Sequence, residues 1–239
     1  MEIIWVLENV TKQISFYNKL RILLLVASVS LWKKYHPNHI TVLYCDNLTL
    51  DTLDKLNILH LWNDIRKLNS NVNIRKTSFW STCKTEIISK TKIPICIVDH
   101  DFLIFKNISN YLKDNVLFTH DEIASNWYPK TTDKFVRQID YKFEIIDDTA
   151  ANVSLFYLPD PEFSNKFFLK SLGDNENKMA VEKLFKNFSL QKKLLLNPMN
   201  IESNGNEIFY YWEGVKFPVE ELPKKISEVE FLHDNFFDV

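Results

Sequence analysis

The run Ile93-Pro94-Ile95-Cys96-Ile97-Val98 constrains the fold more than any other stretch of the chain. It is short, apolar and rich in β-branched side chains, and it stops abruptly at Asp99-His100-Asp101, so it reads as a strand buried on both faces. Strands of that kind belong to sheets covered by helices on each side, and in open α/β sheets ligands collect at the strands' carboxyl ends. Asp99 and Asp101 are two residues apart, and on extended chain two such side chains point the same way. Carboxylates placed like that grip a divalent cation. Mg²⁺ and Mn²⁺ take oxygen donors, commonly one or two carboxylates together with the phosphates of a substrate. A phosphorylated ligand is therefore expected beside this pair. Asp-x-Asp by itself also occurs in ordinary turns; the buried strand before it sets this instance apart.

The flanking pattern supports a parallel sheet. Strands are predicted at 2–7 and 40–45, a helix apolar around its whole circumference at 19–35, a second helix at 50–61 and a short strand at 72–74. A helix at 78–90, capped by Ser78, precedes the 93–98 strand, so the first hundred residues alternate as right-handed βαβ crossovers do. Beyond the Asp pair come strands at 115–119 and 152–158, the latter stopped by Pro159-Asp160-Pro161, with helices at 162–171 and 178–188. Residues 126–141 show no period and read as a loop region near a site. The fold expected is α/β: one domain over 1–239, with a Rossmann-like, mostly parallel central sheet flanked by helices. Residues 1–119 form its nucleotide-binding half by architecture, and 120–239 a second half with a C-terminal tail.

Composition removes several classes of function. Net charge is −2 and the charges are interspersed, so no basic face offers itself to nucleic acid and no polybasic run to anionic lipid. The longest apolar stretch, 22–32, is interrupted by Ser28 and Ser30 and is too short to cross a bilayer, while Met1-Glu2-Ile3-Ile4 lacks the positive region of a signal peptide. A soluble, cytoplasmic protein is expected. Cys45, Cys83 and Cys96 are an odd count without metal-ligand spacing, which suits buried reduced thiols. With only 3 glycines there is no Gly-rich phosphate cradle, so phosphate must be held by metal, side chains and ordinary backbone.

Four stretches together resemble the GT-A class of glycosyltransferases, which carry an Asp-x-Asp motif at the end of a central strand and use a nucleotide sugar. They are Phe79-Trp80-Ser81 with Lys84, residues 94–101, Asn152-Val153-Ser154-Leu155-Phe156-Tyr157, and Met179-Ala180-Val181-Glu182. Their order matches donor helix, metal motif, donor-sugar strand and acceptor-side helix. In bacterial and giant-virus members the resemblance implies Mn²⁺- or Mg²⁺-dependent transfer of a sugar, from a UDP-linked donor, onto a glycan or other saccharide, as in polysaccharide biosynthesis. The sequence departs from the class in two places. Ser154 stands where Asn-x-Gly is usual, and Phe231-Leu232-His233-Asp234 only hints at the C-terminal metal loop.

The resemblance assigns Asp101 and Asp99 to the metal, Asp99 directly or through the ribose, and His233 as a further ligand. Trp80, Lys84, His100, Asn152 and Asp46 are the candidate donor contacts, with Glu8 beside Asp46 for base and ribose. Each also has an ordinary reading: Lys84 as a solvated lysine one turn after Trp80, Asn152 as a turn residue, His233 as a packed histidine. Asp148, with Asp147, and Glu182 are the carboxylates from which an acceptor-activating base is chosen. A haloacid-dehalogenase-like phosphatase or phosphotransferase is the alternative enzyme, but there the motif opens the fold and is followed two residues on by Thr or Val, where this chain has Leu103. A non-catalytic nucleotide-sugar-binding module is the alternative outside enzymes, since fold alone does not establish activity.

Overall fold

The computed structural model describes residues 1–7, 16–68, 94–113, 116–119 and 153–159, with shorter pieces at 83–84, 87–88, 91, 121–122, 150–151, 196–198 and 208–210. Along them run β1 (Glu2–Leu7), α1 (Phe16–Tyr35), β2 (Ile40–Cys45), α2 (Asn47–Lys55), a 3-10 turn (Leu59–Leu61) and β3 (Asp64–Lys67). There follow β4 (Ile95–Val98), β5 (Phe102–Ile104), β6 (Val116–Phe118), β7 (Asp121–Glu122), β8 (Ala150–Ala151), β9 (Leu155–Leu158), β10 (Leu196–Pro198) and β11 (Ile208–Tyr210). The larger sheet has the strand order β10-β6-β9-β4-β1-β2-β3, and β11-β5 and β7-β8 form two-stranded ladders. The fold is α/β, built on a mixed, mostly parallel sheet with helices. All four residues of β4 are buried, as the apolar run requires, and the strand begins at Ile95 because Pro94 has no N–H to give a ladder.

By contacts the chain divides into two compact units. One comprises Met1–Glu2, Asn69–Ile97 and Asn110–Ile201. There β6 pairs in parallel with β10 and antiparallel with β9, Leu117 lying opposite both Asn197 and Tyr157. Every residue of β6 and of β9 is buried. Cys83, Lys84, Ile87 and Ile88 are helical, consistent with the helix expected at 78–90. The predicted strand at 72–74, loop at 126–141 and helices at 162–171 and 178–188 lie outside the described residues.

The other unit comprises Ile3–Leu68, Val98–Ser109 and Glu202–Val239. At its centre is α1, whose residues 24–29 are buried without a break, leaving no solvent face over that span. Such a helix gains little from amphipathic patterning and much from removing apolar area on all sides. Trp5 and Trp32 meet edge to face, with ring centroids 6.1 Å apart. Lys33 and Lys34 in the last turn complement the helix dipole, and Pro37 prevents continuation.

Two expectations for this unit are corrected. The helix predicted at 50–61 is instead α2 followed by the 3-10 turn. Asn57 takes a left-handed φ of 55°, Ile58 N–H donates to Leu53 O at 3.2 Å and Asn57 N–H to Asp54 O at 2.9 Å, a Schellman closure that stops α2. Its start is also earlier, because Asp46 caps it: Oδ1 accepts the Thr49 N–H at 2.7 Å. Asp46→Ala should therefore lower stability by about 1 kcal/mol, read as a shift of the urea midpoint at unchanged slope.

The second correction is β3, where no strand was expected. Asp64-Ile65-Arg66-Lys67 has no apolar alternation because it is a charged edge, running parallel to β2 with Arg66 opposite Tyr44. The Arg66 guanidinium lies over the Tyr44 ring, 5.6 Å from its centroid, and Nε pairs with Asp64 Oδ2 at 2.7 Å. Thr41 and Asn63 fasten the other end through side-chain and backbone hydrogen bonds.

Candidate functional site

The Asp-x-Asp pair stands immediately after β4, but not on extended chain. Phe102 N–H donates to Asp99 O at 3.1 Å, closing a four-residue turn from Asp99 to Phe102 that leads straight into β5. The same-face expectation drawn from strand alternation is thus corrected: Asp99 and Asp101 occupy the first and third positions of a turn, where the period of two does not apply. Asp99, His100 and Asp101 are each half-buried. The residues on either side, Val98 and Phe102, are almost wholly buried. Three polar side chains therefore surface between two strands anchored in the interior.

Behind the turn, β5 is buried along its length, pairs antiparallel with β11 and packs on α1. Polar links tie it to that helix at both ends. Trp5 Nε1 donates to Ser28 Oγ at 2.9 Å, and Ser28 Oγ donates to Phe102 O at 2.8 Å. Past β5, Asn107 Nδ2 donates to Tyr35 O at 2.8 Å and Ile108 N–H donates to His36 Nε2 at 2.8 Å. His36 stacks on Trp32 and on His39, with centroid separations of 4.6 and 5.3 Å. Burial, then the like charge of His39, push the His36 imidazole down from 6.5 to about 4, the Trp32 backbone opposing them in part. A neutral ring is what the bond from Ile108 requires, since Nε2 must carry a lone pair.

The donor set of the turn suits a hard cation. Asp99 and Asp101 supply anionic oxygens at a half-exposed place, the chemistry Mg²⁺ and Mn²⁺ select, and these ions take further oxygens from phosphate and water. Among the described residues no cluster of three or more His, Cys, Asp or Glu side chains is set for a metal ion. The thiols near the strand ends stay protonated: burial, then the neighbouring Asp46 charge, raise Cys45 to about 11, and burial alone pushes Cys96 far up.

The remaining candidates fall in different places. Asp46 ends β2 as expected, but one carboxylate oxygen is committed to the cap of α2. Lys84 is helical and half-buried in the other unit. Glu8, Trp80, Asp147, Asp148, Asn152, Glu182 and His233 lie outside the described residues. Ser28 was not among the candidates. Its signal was a hydroxyl inside an otherwise apolar helix, a group that must find partners if it is buried.

No protein-family model matches the chain, and no curated protein matches it in sequence. Among solved structures the chain is similar to mouse xyloside xylosyltransferase 1 in its apo form, at 12% identity, 83% of this chain, 85% of that one and a TM-score of 0.44. It is also similar to the PaToxG glycosyltransferase, at 12% identity, 97% and 74% of the two chains and a TM-score of 0.48. A third similarity is to the galactosyltransferase LgtC in complex with donor and acceptor sugar analogues, at 14% identity, 82% and 66% of the two chains and a TM-score of 0.41. No helix among the described residues is long and apolar enough to cross a membrane.

Proposed function

We propose that the chain is a metal-dependent glycosyltransferase that moves a sugar from a UDP-linked donor to a hydroxyl group of a glycan or other saccharide. The observation that carries the reading is the Asp99–Phe102 turn, which presents two carboxylates directly after the buried strand β4 and is fastened from behind through β5 and α1. In this reading Asp101 holds Mn²⁺ or Mg²⁺, and Asp99 shares the ion or contacts the ribose. The bound ion supplies Lewis-acid stabilisation of the charge that develops on the departing diphosphate. The chain's own residues do the rest: Lys84, Trp80, His100 and Asn152 orient the donor, His233 would be a further ligand of the ion, and Asp148 or Glu182 takes the proton from the acceptor hydroxyl. Asp46 is less suited to the donor, since the helix cap already uses one of its oxygens. The phosphatase reading is not favoured, because β1 to β3 and two helices precede the turn where that class opens with it.

A panel of nucleotide sugars incubated with the purified protein, with Mn²⁺ and with chelator, tests the proposal by release of UDP. Release with at least one UDP-sugar, abolished by chelation and restored by Mn²⁺, is the expected result. Tight metal-dependent binding without turnover would favour the non-catalytic module, and neither binding nor release across the panel would end the reading.

A further inference from the structure

We infer that Ser28 is a positioning residue for the Asp-x-Asp turn, its hydroxyl fastening the carbonyl of Phe102, the residue after Asp101, onto α1. The inference rests on the reading that Asp101 holds the donor's cation. A serine hydroxyl has one proton and two lone pairs. Trp5 Nε1, 2.9 Å away, occupies a lone pair, which leaves the proton directed to Phe102 O at 2.8 Å. Trp5 is 0% exposed, Ser28 2% and Phe102 1%, so water offers neither partner a substitute. Phe102 is held on its other side as well, since its N–H closes the turn on Asp99 O at 3.1 Å. Both polar groups of one residue are therefore fixed, one to the start of the turn and one to a buried helix. The backbone that sets where the Asp101 carboxylate originates has little freedom left.

The three residues come from β1, α1 and the start of β5, so the relay ties the turn to the interior of its unit rather than to its sequence neighbours. A buried chain Trp–Ser–carbonyl in which every proton has a place is stiff, and stiffness in the support of a ligand is what sets how well the ligand holds a cation. Without the hydroxyl, Phe102 O loses its link to α1 and Trp5 Nε1 loses its acceptor. The turn can then shift while the fold around it survives.

The test is calorimetry of UDP with Mn²⁺, and of UDP with chelator, on parent, Ser28→Ala, Ser28→Thr, Trp5→Phe and Asp101→Asn proteins whose folding is checked by circular dichroism. Ser28→Ala should lose roughly tenfold in metal-dependent UDP affinity, as groups that orient a metal ligand do, with metal-independent UDP binding unchanged. Ser28→Thr keeps the hydroxyl and should recover most of the loss. Trp5→Phe keeps a ring in the core but frees the hydroxyl, and should lose affinity in the same direction to a smaller extent. Parent-like metal-dependent affinity in Ser28→Ala, beside a collapse in Asp101→Asn, overturns the positioning role and leaves the glycosyltransferase reading standing. Parent-like affinity in Asp101→Asn overturns that reading, and the positioning role with it. If Ser28→Ala does not fold, Trp5→Phe decides: an unchanged affinity there overturns the role.

Discussion

On the proposed glycosyltransferase reading, Asp101→Asn protein is expected to fold like its parent and to lose metal-dependent turnover by roughly a hundredfold or more. The substitution is nearly isosteric and the side chain is half-buried on a turn, so the buried strands on either side of it have no reason to change. What changes is charge. An amide oxygen is a weaker partner for a hard dication than a carboxylate, and the loss is felt most when negative charge is building on the departing diphosphate. Asp99→Asn should act in the same direction, equally if Asp99 touches the ion and more mildly if it touches the ribose. Steady-state rates over a range of Mn²⁺ concentrations separate the cases. A variant that has lost affinity for the ion recovers rate at high Mn²⁺; one that has lost transition-state stabilisation stays slow at saturation. Parent-like rates throughout would mean that the pair only shapes a turn.

The second large effect is on stability and comes from His36. Its ring is buried, stacks on both Trp32 and His39, and accepts the Ile108 N–H, so the folded state keeps it neutral. The folded pKa of about 4 lies below the ordinary 6.5. Between those values the unfolded chain binds the proton and the folded one does not, so acid favours unfolding. The contribution of His36 is complete above pH 6.5 and is lost as pH falls towards 4, by about 2 kcal/mol at pH 5 and about 3 kcal/mol at pH 4. His39, also lowered by burial, has the same sign. Carboxylates titrate in the same region, so the comparison that isolates the histidine is His36→Gln, which can accept from Ile108 but takes no proton. Urea unfolding at pH 7.5 and pH 5 should show the parent losing more stability than the variant. Parallel losses would mean that His36 titrates normally in the fold.

How far the sequence reveals this molecule follows from which forces act locally. β1 and β2 are found at their predicted bounds because each is a block of apolar, β-branched residues whose burial decides its conformation. β4 and the all-round burial of α1 are legible for the same reason. The charged edge β3 is not, since an edge strand is defined by hydrogen bonds to a neighbour and by avoidance of further pairing. Nor is β5, three residues long, whose partner Ile208–Tyr210 lies in a remote part of the chain. At the site, the place of Asp99 and Asp101 is legible but their local geometry is not. The strand ends at Val98, three residues short of Asp101, and a single backbone bond from Phe102 turns the chain. Asp46 carried two readable signals, the end of a strand and a capping residue before a helix, and the second describes what its carboxylate does.

The bond from Ser28 to Phe102 spans 74 positions of the chain. On a ribosome adding about 5–20 residues per second, α1 is made some 4–15 s before the strand that covers part of it. During that interval the part of α1 that β5 covers is made but not yet covered by it. Long-range closure of this kind slows folding and leaves nascent chains prone to association. Yield on expression should accordingly respond to lower temperature and to chaperone supply more than to any change at the surface.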